Sequence, residues 1–441
     1  MFKINQKLKF LSLEIGPNFQ FDDAKIALKS IFYSSNKSQK HHQEKAQNWF
    51  KQNFDTRQVW FTETCRSGIY MLLKTLNLPK ESEVLIQSFS CIVVPNAVLQ
   101  SGLQPVVCDV STDNFNFDLD KIESKITPNT KVWILQYNFG IIPDMDKVKK
   151  ICDKYNLILI EDCAHSLGGE FKLEGNTYKI GTFGHAACFS FGRDKVISTT
   201  TGGATIIHDL PKFFQSPDIT KLWSDRLNHE YEQLQEMSSK RTLENLIYPI
   251  NTVFLIKPFY RFQLGKIVAY ISKKLQLSGL VYSMYEKNGE VEKFPKPKQY
   301  SQRLYELLNN QLLKLDIFNQ HRRNIASIYA KKLKLDYDVK NVYLRFPVYL
   351  KNLTSQDDIQ TNKDIYTKIK TGLKRQGVFL GNWYTKAFLG VTDKYTCLDN
   401  QISLLKTTNK IIQNQVINLP THINTTISDA DYIADSILKI I

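Results

Sequence analysis

The chain has 441 residues, 42% of them hydrophobic and 23% charged, and 58 Lys+Arg against 43 Asp+Glu leave a net charge of +15. No uncharged apolar run of roughly 18 residues occurs, so a spanning helix is not expected. The N-terminal MFKINQKLKFLSLEIGPNF lacks the apolar region and small-residue cleavage site of a secretory signal. Seven cysteines, at 65, 91, 108, 152, 163, 188 and 397, form no CxxC pair, which predicts reduced thiols in a cytoplasmic protein and no zinc site. The positive excess suits anionic substrates, nucleic acid or a membrane surface, and equally a lysine-rich solvated face.

Residues 1–58 read as an N-terminal arm with helices over 22–32 and 42–54, separated by the polar loop SSNKSQKHH. His41 and His42 fall in that loop without a ligand-spaced acid or thiol, so a solvated pair is expected. From Val59 a strand–helix rhythm begins. Val59–Phe61, Val84–Ile86, Pro105–Val110 and Val132–Gln136 are strand-like. Helices are expected from Ser67-Gly68 to Leu76, over 93–101, over 118–126, and over 144–155 with Asp144 as N-cap. Such alternation predicts a doubly wound, mostly parallel α/β sheet.

The apolar run Leu157–Ile160 then delivers Glu161-Asp162 at a strand's carboxyl end. Ala186–Phe191 delivers Ser190, with Lys195 in the loop beyond. Ligands bind in the crevice at such strand ends.

Residues 210–300 break the rhythm, and no clean period crosses them. The most apolar part, 252–272, is interrupted by Lys257, Arg261 and Lys266 and followed by Lys273 and Lys274. Two readings stay open: a basic amphipathic element making peripheral membrane contact through 252–274, and a helical insertion packed on the core or a partner subunit. The stripe Leu304, Leu308, Leu312 and Leu315 predicts one long helix over 301–334. Strands over 342–350 and 378–380 and helices over 363–376 and 429–439 complete a small C-terminal α+β domain. The expected organisation is therefore an arm (1–58), a large cofactor-binding domain (59–300, with the insertion at about 210–300), and a bridging helix with a small domain (301–441).

Six segments in order, TCRSGIYMLL, QSFSCIVVPNAVLQSGLQPVVCDV, FGIIPDMD, IEDCAHSLG, FSFGRDKVISTTTGG and NLPTH, resemble the DegT/StrS-type sugar aminotransferases of the fold type I pyridoxal phosphate enzymes. The resemblance is strong over 60–210 and looser over 300–441. It implies pyridoxal 5'-phosphate as cofactor, with Lys195 as the Schiff-base lysine and Asp162 as partner of the pyridine nitrogen, keeping the ring an electron sink. Ser190 would bind the cofactor phosphate, joined by Ser67, Gly68 and the amides of their helix start, an anion site. Arg66, in the family's Ser-Gly-Thr region, would add a charge partner. His165 would approach the phenolic oxygen. Cys91 stands where the family places an aromatic over the ring, a departure that leaves stacking lost or supplied by Phe89.

The implied activity is transfer of an amino group from glutamate to a nucleotide-linked keto sugar, for surface polysaccharide or secondary metabolite synthesis, by a cytoplasmic homodimer. Two alternatives stay open: a non-transferring, dehydratase-like relative, against which the retained Lys195 argues, and a basic or membrane-associated binding protein on the same scaffold. No nucleic-acid module of stacking aromatics among basic residues is visible, and no GxGxxG follows a strand.

Overall fold

Strand-forming runs of Val, Ile, Leu and Phe that are buried on both faces organise this protein, as expected of a covered parallel sheet. The computed structural model describes residues 10–32, 35–208, 212–214, 217–260, 264–274, 282–354 and 358–441. Its main sheet has seven strands: β1 (Trp60–Thr62), β2 (Glu83–Gln87), β3 (Gln104–Cys108), β4 (Thr130–Gln136), β5 (Ile158–Asp162), β6 (Ala186–Ser190) and β7 (Gly203–Ile207). Their spatial order is β1-β7-β6-β5-β4-β2-β3. All neighbours from β6 to β3 run parallel, and β7 is antiparallel to both β6 and β1. The α/β fold with a mostly parallel sheet thus stands as expected.

Helices Cys65–Leu76, Val93–Gln100 and Met145–Tyr155 cover the sheet. Asp144 caps the last of these, its carboxylate accepting from the Lys147 amide at 3.1 Å. Register fixes the chemistry at the sheet's edge: Gln136 at the end of β4 pairs with Asp162 at the end of β5, which in turn pairs with Cys188 of β6. A second core gathers Leu11, Ile325, Tyr329, Val348, Ile369, Ile417 and Ile433 around the antiparallel pair Phe346–Tyr349 and Val416–Leu419.

Several elements differ from expectation. The second helix starts at Asn36, not at His42, because Ser35 Oγ accepts from the Ser38 amide at 3.3 Å and caps it. His41 and His42 therefore lie on a helix, and His42 faces Glu306 at 3.9 Å. Residues 118–126 form only a single 3-10 turn, Ile122–Lys125. The chain turns extended at Ile126, just before Thr127-Pro128, where proline disfavours helix in the residue ahead of it. The long bridging helix is broken into a 3-10 turn (Gln302–Leu304) and two helices, Tyr305–Leu313 and Leu315–Leu333. The joint is Lys314, whose ammonium reaches Asp22 (2.6 Å) and Asp23 (3.0 Å) of the N-terminal arm.

A hairpin, Glu170–Leu173 with Asn176–Lys179, was not expected. Glu174 and Gly175 both have positive φ, the conformation a two-residue hairpin turn needs. The 210–300 insertion is helical where described: Pro217–Glu232, Ser239–Asn251, a π turn at Thr252–Ile256, Lys257–Phe259, Leu264–Lys274 and Met284–Asn288. Arg261 and the side chain of Lys273, both read in the basic stretch, lie outside the described residues. Lys257 is turned inward: its ammonium donates to the Phe19 carbonyl at 3.0 Å, and burial lowers its pKa to about 8.

Candidate active site

One cavity of about 580 Å³ opens at the carboxyl ends of β4, β5 and β6. It falls in the size range of small-molecule sites. Asp162, Lys195, Ser190, His165, Arg66 and Cys91 all line it. Ser67 and Gly68, expected there, do not. Thr64 is the residue that caps their helix: its hydroxyl accepts from the Ser67 amide at 3.3 Å and lies 2.8 Å from Ser67 Oγ. Ser67 is thus engaged with the cap. Gly68 faces the sheet, where a Cβ would meet Thr205 Oγ1 at 2.1 Å, so its smallness serves helix–strand packing. Thr64 and Cys65 line the cavity in their place.

Asp162 is 4% exposed. Its carboxylate accepts from the Ala164 amide at 3.1 Å and from the Gln136 side-chain amide at 2.8 Å. Burial raises its pKa, while the Ala164 amide, the Lys195 charge and the Gln136 bond pull the other way. Both partners in those bonds are neutral, and Asp162 forms no ion pair among the described residues. A carboxylate held in this way gains from a cationic N–H brought against it.

Lys195 Nζ lies 3.0 Å from His165 Nε2 and 4.9 Å from the centre of the Trp383 ring. Burial, with the nearby charges of Lys195 and Arg345, holds the His165 pKa well below the usual range, so the ring is neutral. An ammonium can only donate, so opposite a protonated Lys195 the Nε2 accepts and the ring proton sits on Nδ1. Trp383 stacks on His165 at 4.5 Å and 14°, and the Arg345 guanidinium lies 3.4 Å from the centre of the Trp383 ring. Arg345 in turn pairs with Asp194 at 3.1 Å. The lysine therefore sits beside a packed stack of flat groups.

Ser190 Oγ accepts from the Gly192 amide at 3.4 Å. Arg66 Nη1 lies 2.5 Å from Glu286 of the insertion, so the guanidinium already has a carboxylate partner. Cys91 Sγ donates to Tyr282 Oη at 3.6 Å. Phe89, the expected alternative ring, is fully buried among Phe115, Phe139 and Tyr384 and does not line the cavity. The aromatic walls are Tyr282, Trp383 and Tyr384 instead. In all, Arg66, Arg193, Lys195, Arg241 and Lys287 face Glu14, Asp162 and Asp194, a net positive lining that suits an anionic ligand.

Gln136, Tyr282, Lys287 and Trp383 are among the contributors that sequence reasoning missed. Gln136 closes a strand next to β5, so sheet order alone would have placed it beside Asp162. Tyr282 and Lys287 come from the aperiodic insertion. Trp383 comes from a short segment, GNWYTK, with no local signal of function.

The family model described as DegT/DnrJ/EryC1/StrS aminotransferase family matches residues 22–212. An L-glutamine:2-deoxy-scyllo-inosose aminotransferase of Streptomyces kanamyceticus is 31% identical over 143 residues, 32% of this chain and 33% of that one. A GDP-perosamine synthase of Caulobacter vibrioides is 32% identical over 148 residues, covering 33% and 39%. The matched stretch thus spans about a third of the length of these curated relatives. Likeness of fold extends much further. Helicobacter pylori PseC, an aminotransferase involved in the biosynthesis of pseudoaminic acid, superposes with a TM-score of 0.66 at 18% identity, covering 98% of this chain and 99% of that one. Spr1654 from Streptococcus pneumoniae, in its PMP form, gives 0.67 at 15% identity, covering 96% and 97%. Residues 22–212 thus match the DegT/DnrJ/EryC1/StrS aminotransferase family, and the likeness of fold to solved structures extends over nearly the whole chain.

Proposed function

We propose that this protein is a pyridoxal phosphate-dependent aminotransferase that moves an amino group from glutamate to a nucleotide-linked keto sugar. The observation carrying the proposal is that Asp162, Lys195 and Ser190, from three successive segments of the chain, line one cavity. Supporting it are the family match and the relatives whose names specify amino sugars or aminocyclitols. Homodimer formation, a cytoplasmic location, peripheral membrane contact through 252–274 and the three-part domain division belong to the same reading.

The residues present fit the cofactor. Asp162, buried and bonded only to neutral donors, would face the pyridine nitrogen and keep it protonated. Ser190, Arg66 and the amide end of the Cys65–Leu76 helix would meet the phosphate. When bound, the cofactor supplies an aldehyde that condenses with amines and a ring that accepts the electron pair of the substrate carbon.

Every other task falls to this chain's side chains. Lys195 Nζ would hold the cofactor between turnovers and would then carry the proton between the substrate carbon and the cofactor carbon. His165, neutral at 3.0 Å, accepts a hydrogen bond from that nitrogen and orients it. Trp383, packed on His165, shields this corner of the cavity from water. The cationic side chains Arg193, Arg241 and Lys287 offer charge for a diphosphate-bearing substrate.

The test is the visible absorbance of the purified protein after incubation with pyridoxal 5'-phosphate. A lysine-bound band that shifts on adding glutamate and is missing from Lys195→Ala supports the reading. Absence of that band in the wild-type protein would sink it.

A further inference from the structure

The helix Leu264–Lys274 is inside out. In a surface helix of a globular protein the large apolar side chains face the core and the small or polar ones face water. Here Gly265 and Ser272 are buried, with Val268 and Ala269 half-buried, while Leu264, Ile267, Tyr270 and Ile271 are 51%, 52%, 67% and 46% exposed. These four fall at i, i+3, i+6 and i+7, one continuous stripe. The orientation is fixed by backbone contact: a Cβ at Gly265 would come within 2.4 Å of the Ile256 carbonyl and 2.5 Å of the Tyr260 amide. Only glycine permits that approach, so the helix cannot roll to bury its apolar stripe. Leu255 and Phe259 on the preceding turns are exposed as well, at 41% and 40%.

We propose that this stripe docks the protein on an anionic lipid surface, the helix lying in the plane of the headgroups. Charge selects the occupant. Between Glu244 and Glu286 the sequence contains no acidic residue, and Lys266 and Lys274 stand exposed beside the stripe. A second copy of the same helix would set lysines against lysines, and residues 245–285 contribute no carboxylate to answer them. Anionic headgroups supply the missing charge, and the surrounding chain has a net +15. Tyr270, the most exposed of the four, has the ring and hydroxyl suited to the boundary between acyl chains and water. No helix among the described residues is long and apolar enough to cross a membrane, so the contact is one of lying on the surface. The inference is independent of the chemistry in the cavity.

The test is co-sedimentation of the full chain with vesicles of phosphatidylcholine, alone or mixed with phosphatidylglycerol. The expected result is about tenfold more protein on the mixed vesicles, reversed by high salt. The double variant Ile267→Asp/Ile271→Asp alters only exposed positions, so it should keep its circular dichroism and melting temperature while losing this retention. Lys266→Glu/Lys274→Glu should weaken retention in the same direction. Wild-type protein left in the supernatant with both vesicles would overturn the proposal, as would full retention of the aspartate variant. Equal retention on neutral vesicles would overturn the anionic assignment. If the wild-type protein ignores vesicles and the aspartate variant converts a dimer to a monomer by light scattering, the stripe is a contact between copies and the lipid proposal fails.

Discussion

The side-chain amide of Asn18 donates to the main-chain carbonyl of Lys195 at 2.5 Å, and to that of Val196 at 3.1 Å. The N-terminal arm thereby grips the backbone of the lysine proposed to carry the chemistry. Arg322, from the helix Leu315–Leu333, completes the clasp by donating to Asn18 Oδ1 at 3.0 Å, Val196 O at 2.6 Å and Asn319 Oδ1 at 2.8 Å. Burial lowers the Arg322 pKa to about 9, a cost met by these three bonds. Arg322→Leu would strand Asn18 Oδ1 and Asn319 Oδ1 and take one of two donors from the Val196 carbonyl, at about 1 kcal/mol or more per lost bond. We expect a loss of about 3 kcal/mol in urea denaturation. The remaining folded enzyme should have a lower kcat, because Asn18, which holds the Lys195 carbonyl, loses its own anchor.

Asp162→Asn tests the electrostatic role of the carboxylate with little change in shape. The asparagine can still accept from the Ala164 amide, so the strand end should survive. What disappears is the charge proposed to face the pyridine nitrogen, a charge-assisted bond of about 1.5–3 kcal/mol. That range corresponds to a loss of about 13- to 160-fold. It should appear in cofactor affinity by fluorescence titration and in kcat/KM for amino transfer. Unchanged values for both would remove Asp162 from the mechanism.

The buried histidines predict an acid-sensitive fold. His185 Nδ1 accepts from the Leu159 amide at 3.0 Å, so that nitrogen must stay unprotonated. Burial, helped by the neighbouring His208, lowers its pKa to about 4. With the folded value below an unfolded value of about 6.5, the unfolded state binds the proton first. The stabilisation is therefore complete above about pH 6.5 and is lost progressively as pH falls toward 4. Between about pH 7.5 and 5.5 this one group should cost about 1 kcal/mol. His185→Gln keeps an acceptor without a titration, so its melting temperature should fall less steeply over that interval.

How much of the site could be read in advance follows from where each side chain sits in the chain. Asp162, Ser190 and Lys195 were legible because strand ends in a parallel sheet converge, and their spacing from β5 and β6 is short. Gln136 was hidden only by the lack of a strand order. Trp383 and Tyr282 were not legible at all. They reach the cavity through tertiary packing of a segment and an insertion whose local patterns are those of ordinary loops and aperiodic helices. The absence of Ser67 and Gly68 from the cavity lining has a similar origin. A helix start looks alike in sequence whether its serine faces a ligand or its own cap, and here the Thr64 hydroxyl had already claimed the Ser67 amide. The break at Lys314 escaped because the leucine stripe continues through it, and the stripe reports burial without reporting backbone angle.

Glu161, beside the site and fully buried, has a structural task that a variant pair can isolate. One carboxylate oxygen accepts from the amides of Phe183 (2.7 Å) and Gly184 (2.8 Å), the other from Gly181 (2.9 Å) and Tyr137 Oη (2.6 Å). Four donors converge on a group that offers only acceptors, so the loop 181–184 is tied beneath β5. Glu161→Gln would turn an NH2 toward at least one of these N–H or O–H groups, losing the charge and creating a donor–donor clash. We expect about 3 kcal/mol or more of lost stability. Tyr137→Phe removes only one of the four donors and leaves the carboxylate bonded to three amides. Its cost should be about 1 kcal/mol, with kcat/KM unchanged. Equal losses in the two variants would mean that the tyrosine bond, and not the three amides, holds the loop in place.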